Sequence, residues 1–469
     1  MSATLISDVT VLTMDEERRV IPHAAVLIED DTLAYVGPVD GCPAAEGVAR
    51  LDGRGMLALP GLVNAHTHVP QILLRGAPSQ GRRLQDWLNN VLSPGLAAFS
   101  PQDLEVATLL YCVEAVRSGM TTVVVNEDAG GADYLGVADR VLGSLRQSGL
   151  RVRYARMIRD LVDDRVLAAS GTGDLELMRQ RTRAGRYDSA RALAEFAELV
   201  RRHHGSGNGR VEVWPAPATT VTTTLETFAA AQRLASERGT SWTIHLAETP
   251  IEQELHGRSP VDLLDSHGLL DGALLAAHCV HLDDQDLSTM AARGVRIATQ
   301  PSSNAYLGAG VAPVPAMLRH GLTVGLGTDD ANANDSVNLF SEMRMLALLQ
   351  QAVAQDPAVI PPGRVLEMAT SAGARAVGAG DLIGSLEVGK RADLVLLDLG
   401  GVRTTPVHDV VTSLVFQAGG AEVDTVIVDG RLLMHDRVLT FLTPQDERAL
   451  CRDAQQRAEQ LVARAGLTW

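Results

Sequence analysis

Met56-Leu-Ala-Leu-Pro-Gly-Leu-Val-Asn-Ala-His-Thr-His68 is the stretch from which the rest of the chain can be read. An apolar run, Met56 to Val63, delivers two histidines one residue apart. In extended backbone, residues i and i+2 face the same side. His66 and His68 can therefore aim two imidazoles at one point, as a shared metal ion requires. The same pair could equally be surface histidines in a turn, so the surrounding pattern has to decide.

From this stretch onward, strand and helix patterns alternate. After the His66 strand, strands are expected at 120–126, 151–157, 210–215, 241–245, 273–278, 295–299 and 323–327. Helical periodicity follows them, as at 103–118, 134–148, 189–203, 224–238, 260–267, 283–293, 314–320 and 339–355. Alternating βα units imply a parallel sheet, and eight of them close an α/β barrel of the (β/α)8 type. A doubly wound open sheet is the competing fold, but no Gly-x-Gly-x-x-Gly follows any strand. The charged, Gly-containing stretch 161–186 is long for a loop and is expected to form a lid or pocket wall.

Strand patterns also occupy both ends of the chain, at 3–14, 24–37, 390–398 and 423–434. Neither end has enough strands for a core of its own. The expected organisation is a composite β-sandwich from 1–58 and 382–440, a catalytic barrel over 59–381, and a closing helix over 441–469.

The totals narrow the classes. The 469 residues are 46% apolar but only 3% aromatic, so the core must be built from Ala, Val and Leu. The net charge of −16 argues against nucleic acid or an anionic membrane as partner. Cys42, Cys112, Cys279 and Cys451 are scattered, which suggests neither a disulfide framework nor a thiolate zinc site. No signal-like N-terminus and no membrane-spanning apolar run is evident, so a soluble cytoplasmic protein is expected.

Barrel enzymes keep their chemistry at the C-terminal ends of the strands. His66 and His68 end the first expected strand, His245 the fifth, His278 the sixth, and Asp329 follows the eighth. The chain has only 13 histidines. Four of them plus an aspartate at one end of one barrel suit a divalent ion such as Zn²⁺ or Fe²⁺, and disfavour an oxygen-only ion such as Ca²⁺. Glu248, three residues past His245, can reach over such an ion without binding it. A carboxylate there can take a proton from an acidified water and deliver it to a leaving group, as in hydrolytic deaminases.

Pro60-Gly-Leu-Val-Asn-Ala-His-Thr-His68, His245-Leu-Ala-Glu248, Ala277-His-Cys-Val-His281, Gly327-Thr-Asp329 and Gly389-Lys-Arg-Ala-Asp-Leu-Val-Leu-Leu-Asp398 together resemble the amidohydrolase superfamily, in its aminohydrolase/chlorohydrolase branch. Within it, the s-triazine hydrolases are the nearest likeness. It is carried by Asn64 to Gly76, Asp86-Trp-Leu88, Ser303 to Pro315 and Asn334-Asp-Ser-Val-Asn338. The resemblance implies one divalent ion per subunit, on His66, His68, His245 and Asp329. His278 would be a further ligand or would hydrogen-bond the bound water. Glu248 would be the proton shuttle, with His278 and Asp329 as its catalytic neighbours. A homo-oligomer is also implied.

On the substrate side, the resemblance places Gln71, Leu84, Trp87, Leu88, Asn126, Met157, Asn304 and Asp330 around a ring. Trp87 can stack on a flat heterocycle; Asn126 and Gln71 can read ring nitrogens and amines. Thr328-Asp-Asp-Ala-Asn-Ala333 shares its second acidic residue, Asp330, with the melamine deaminase pattern Thr-Asp-Asp-Gly-Asn-Cys. The chlorohydrolase pattern Thr-Asp-Asn-Gly-Asn-Ser lacks it, and this chain departs from both at Ala331 and Ala333. The function implied is deamination of an aminated N-heterocycle, an s-triazine such as melamine or a related pyrimidine or purine, by attack of metal-bound hydroxide on a ring carbon. The alternatives are triazine dechlorination and deamination of a nucleoside such as S-adenosylhomocysteine or of guanine, where His281 would be a substrate contact.

Overall fold

Gly61 divides the opening apolar run into two strands that belong to different sheets. A Cβ there would collide with the Thr121 side chain, so only glycine can pass. On one side, Met56–Pro60 joins the strands of the chain's ends; on the other, Leu62–His68 opens the barrel. The computed structural model describes residues 3–43, 47–77, 81–128, 133–169, 175–184 and 189–468.

The barrel strands are Leu62–His68, Met120–Glu127, Arg151–Ile158, Val211–Pro217, Trp242–Leu246, Leu274–His278, Arg296–Thr299 and Thr323–Leu326. The first four form one parallel ladder and the last four another. Two seams join the ladders. At one, the His245 amide donates to the Ala218 carbonyl at 2.9 Å. At the other, Asp329 and Asp330 pair with Thr67 and His68 of the first strand. Burial of every strand residue explains why Met120–Glu127 and Leu274–His278 read as continuous Val-, Ala- and Leu-rich runs and not as alternating ones.

Strands from both ends of the chain interleave in one nine-stranded sheet. Met56–Pro60 lies parallel to Ala3–Leu12 on one side and antiparallel to Leu394–Asp398 on the other. Ile6, Val26, Ile28, Leu394, Leu396 and Ile427 share a core on this sheet. The closing helix, Pro444–Arg464, starts at a Thr443/Asp446 capping box. It is tied to helix Pro101–Arg117 through Arg457 and Arg464 on Asp103, and through Arg117 on Glu447 at 2.7 Å.

Within the long connection after the third barrel strand, Asp164–Ala168 and Leu175–Ala184 are helices; residues 170–174 and 185–186 lie outside the described ones. Several short helices, Ile251–His256, Pro301–Tyr306, Pro362–Ala369 and Ser371–Ala376, are too brief to announce themselves by periodicity. Among the described residues, no helix is long and apolar enough to cross a membrane.

Barrel and end sheet meet through buried charge. Arg151, at the start of the third barrel strand, donates to both oxygens of Asp393 at 2.8 and 2.9 Å and also binds Asp429. Arg210 reaches Asp429 at 3.2 Å. Removing one partner of a buried pair strands the other charge. Asp393→Ala should therefore destabilise the protein by about 3 kcal/mol, read as a lower midpoint of chemical unfolding.

Candidate active site

The end of the first strand carries the centre of the site. His66 and His68 lie with ring centroids 5.1 Å apart. Across the seam, Asp329 Oδ1 lies 3.3 Å from His66 Nε2 and 3.5 Å from His68 Nε2. This approach needs Gly327, because a Cβ there would fall 2.7 Å from the His66 carbonyl. Asn64 ties the seam: its Nδ2 donates to Thr328 Oγ1 at 2.8 Å and its Oδ1 accepts the Thr328 amide at 3.1 Å. Thr67 Oγ1 donates to the Asp329 carbonyl at 3.1 Å.

His245 and His278 come from adjacent strands and lie nearly parallel, 5.4 Å apart. His245 Nδ1 faces the Ala218 carbonyl at 3.2 Å, and His278 Nδ1 faces Asn304 Oδ1 at 2.9 Å. A backbone carbonyl only accepts, so the His245 ring carries its proton on Nδ1 and turns an Nε2 lone pair inward. Burial opposes it, but the charges of Glu248 and Asp329 and the Asn304 hydrogen bond raise His278. His245 Nε2 is 3.3 Å from His68 Nε2. His66 Nδ1 is held by the Asn126 side-chain amide at 2.9 Å, and Asp329 Oδ2 accepts from Ser303 Oγ at 2.6 Å. His278 (φ 69) and Asp329 (φ 58) both adopt left-handed backbone, which turns their side chains in from the strand ends.

Burial lowers His66 to about 4, against the pull of Asp329, and drives His245 well below its ordinary value. Despite burial, which opposes it, the close approach of His66 and the charge of His278 hold Asp329 well below the carboxylate range. Neutral imidazoles beside an ionised carboxylate are the protonation states a metal needs. His66, His245 and His278 can each offer a ligand atom within 4.8 Å of one another, as can His66, His68 and Asp329. His66 Nε2 is buried without a hydrogen-bond partner. The donor set therefore fits a nitrogen- and oxygen-ligated divalent cation.

Glu248 is buried, with Oε1 3.8 Å from His278 Nδ1. Burial raises its carboxyl to about 7; the His278 charge opposes this and the Asp329 charge adds to it. Asp330 is raised well above its ordinary value, by burial and by the charge of Asp329 beside it.

These groups open onto one cavity at the catalytic face. Of the residues expected around a substrate ring, Leu84, Trp87, Leu88, Met157 and Asp330 line it. The other four are not among its lining residues and each has one polar atom engaged, while Asn304 Nδ2 and Gln71 Oε1 are buried without a hydrogen-bond partner. Asn126 and Asn304 hold imidazoles, Gln71 Nε2 donates to Asp128 Oδ1 at 3.1 Å, and His281 Nε2 donates to the Ala309 carbonyl at 2.8 Å. Val166, in the first helix of the 161–186 stretch, does form part of the wall.

Three charged wall residues escaped the sequence reading: Asp128, Arg159 and Glu252. Asp128 and Arg159 directly follow the second and third barrel strands and pair at 2.9 Å. Burial opposes it, but Arg159 and His68 hold Asp128 low. The rule that found the histidines would have found these two, had it been applied at every strand end.

Comparison with known proteins places this architecture. The amidohydrolase family model matches residues 57–433. The chain is 39% identical to an S-triazine hydrolase of Gordonia rubripertincta, covering 100% of this chain and 98% of that one. It is 38% identical to a 5-methylthioadenosine/S-adenosylhomocysteine deaminase of Desulforudis audaxviator, covering 93% and 94%. Among solved structures, an adenosine deaminase of Xanthomonas campestris with bound zinc superposes with a TM-score of 0.86 at 29% identity, over 98% of this chain and 99% of that one. The chain belongs to the amidohydrolase family. It is a hydrolase acting on carbon–nitrogen bonds other than peptide bonds.

If the five residues hold a cation, His66→Ala and His245→Ala should abolish stoichiometric metal in the purified protein, measured by elemental analysis. Asn304→Ala, which only frees His278 Nδ1, should retain metal at about 10- to 100-fold weaker affinity.

Proposed function

We propose that this enzyme is a hydrolytic deaminase that releases ammonia from an aminated N-heterocycle. One divalent ion, Zn²⁺ or Fe²⁺, would be held by His66, His68, His245 and Asp329, with His278 adjoining it. When bound, such an ion acidifies a coordinated water toward neutral pH. The observation that carries the reading is the placement of Glu248, a buried carboxyl near 7 beside His278 at the floor of the cavity. A group so tuned can take a proton and return it near neutral pH.

The residues divide the work. Trp87, Leu84 and Leu88 receive the flat ring and exclude water. Glu248 accepts one proton of the attacking water and delivers it to a ring nitrogen, then takes the second from the new hydroxyl on the ring carbon and delivers it to the departing amine. The exocyclic C–N bond breaks, the ring carbon gains oxygen, and ammonia leaves. Asp330, held protonated by burial and by Asp329, can donate one hydrogen bond and accept another at the ring edge. An amine needs that proton supply where chloride does not, which favours deamination over dechlorination. The similarity to the S-triazine hydrolase supports a triazine such as melamine as the ring.

The apolar wall of Leu84, Leu88, Leu92, Val166, Ile251 and Leu307 favours a second substrate within the same chemistry. This would be an aminated purine bearing a bulky substituent, in keeping with the relatedness to methylthioadenosine and S-adenosylhomocysteine deaminases.

Ammonia release should be measured on melamine, ammeline, guanine, cytosine, methylthioadenosine and S-adenosylhomocysteine, with chloride release from atrazine in parallel. Turnover of an amino-heterocycle is the expected result. Metal-loaded enzyme that turns over none of them would sink the proposal, and chloride release alone would replace it with dechlorination. Glu248→Gln should retain metal and lose at least about 10²-fold in kcat. A base must be ionised, so kcat/KM should rise with pH as Glu248 deprotonates. A bound cation pulls the carboxyl down, so the midpoint of that acid limb is expected at or below pH ~7, and it should vanish in the Gln variant.

A further inference from the structure

Glu252 lies four residues beyond Glu248, in helix Ile251–His256, buried and lining the same cavity. The proposed reaction does not use it. Both its oxygens are nevertheless engaged. Oε1 accepts the backbone N–H of Glu248 at 3.1 Å, and Oε2 accepts the Thr220 hydroxyl at 2.7 Å. Thr220 follows the fourth barrel strand and Glu252 the fifth, so one carboxylate spans two loops of the catalytic face.

Between His245 and Glu248 the chain must turn back over the site within three residues. It does so at Ala247, whose φ of 50° lies in the left-handed region that residues with a Cβ avoid. Such a conformation persists only where its surroundings hold it. On the carbonyl side, the Leu246 oxygen accepts the Cys279 amide at 3.0 Å, and the Ala247 oxygen accepts the amides of Val280 and His281 at 3.0 and 2.9 Å. On the amide side, the hold is Glu252. Without it, the turn keeps its carbonyl anchors but leaves a buried N–H without a partner, and Glu248 is free to swing.

We propose that Glu252, braced by Thr220, is a positioning residue that fixes Glu248 over the reacting atoms through its backbone amide. The proposal rests on Glu248 being the proton carrier of the deaminase reading. Glutamine at position 252 keeps an oxygen for the Glu248 amide and supplies an NH₂ to Thr220 Oγ1; alanine keeps neither.

The test compares E252A, E252Q and T220V in metal-loaded enzyme, by kcat, KM, metal content, and amide deuterium exchange in a peptide covering 246–250. In E252A, kcat should fall about 10²-fold with KM within about twofold and metal unchanged, because a misplaced group loses rate and not binding. Exchange in that peptide should quicken. E252Q should restore most of kcat and the slow exchange, and T220V should fall between. Wild-type kcat and exchange in E252A would overturn the proposal. So would a loss in E252Q as deep as in E252A, since that would give the ionised carboxylate a direct chemical part. If E252A does not fold, T220V with unchanged kcat and exchange would overturn it instead. If wild-type enzyme turns over no panel substrate, the deaminase reading fails. The exchange data would still decide whether Glu252 holds the Glu248 amide.

Discussion

The site depends on how closely the first and eighth barrel strands can approach. Their seam is a hydrogen-bond lattice of Asn64, Thr67 and Thr328, with Gly327 pressed against the His66 backbone. The pairing of Asp329 with Thr67 and of Asp330 with His68 brings a carboxylate opposite two imidazoles. A barrel closes only when its last strand meets its first. Closing this one assembles three of the five candidate donors, His66, His68 and Asp329, so folding and site formation share one set of contacts. Asn64, which touches none of the expected chemistry, is as much a part of the site as the ligands it aligns.

The features legible in the sequence were those with a strong local signal. Val-Val-Val in Met120–Glu127 and Leu-Leu-Ala-Ala in Leu274–His278 are buried on both faces, so they announce parallel strands without alternation. His245 and His278 stand out because polar residues closing such runs have little structural reason to be there. What stayed hidden depends on long-range geometry. The break at Gly61 is invisible until Thr121 is brought against it. Asn126, Asn304, Gln71 and His281 carry suitable chemistry for a ring, but only the fold reveals that one polar atom of each is engaged within the protein.

Asp128 and Arg159 illustrate the opposite failure. Each follows a strand in plain view, yet a lone charge at a strand end reads as solvated surface. Their pairing at 2.9 Å across neighbouring strands makes them a wall of the cavity. The guanidinium and the nearby imidazole keep Asp128 ionised. Asp330, a short distance away, is driven toward its neutral form by burial and by Asp329. Two aspartates on one wall thus hold opposite protonation preferences, a division that burial and neighbouring charge create without any difference in residue type.

The two ends of the barrel manage buried polarity in different ways. At the base, Arg151 meets carboxylates from two segments of the end sheet, and the cost of desolvating those charges is offset by direct pairing. At the catalytic face, His66 Nε2, His68 Nδ1 and Asp330 Oδ1 are buried without hydrogen-bond partners. Ala247, His278, Cys279 and Asp329 there all occupy left-handed backbone. The strain and unmet polarity at this face are stable only because the rest of the barrel over-determines it. The same unmet groups are the ones free to meet a cation or a heterocycle. A substitution that satisfied them internally, such as a side chain that hydrogen-bonds His66 Nε2, would relax the fold by removing what the site offers to its ligands.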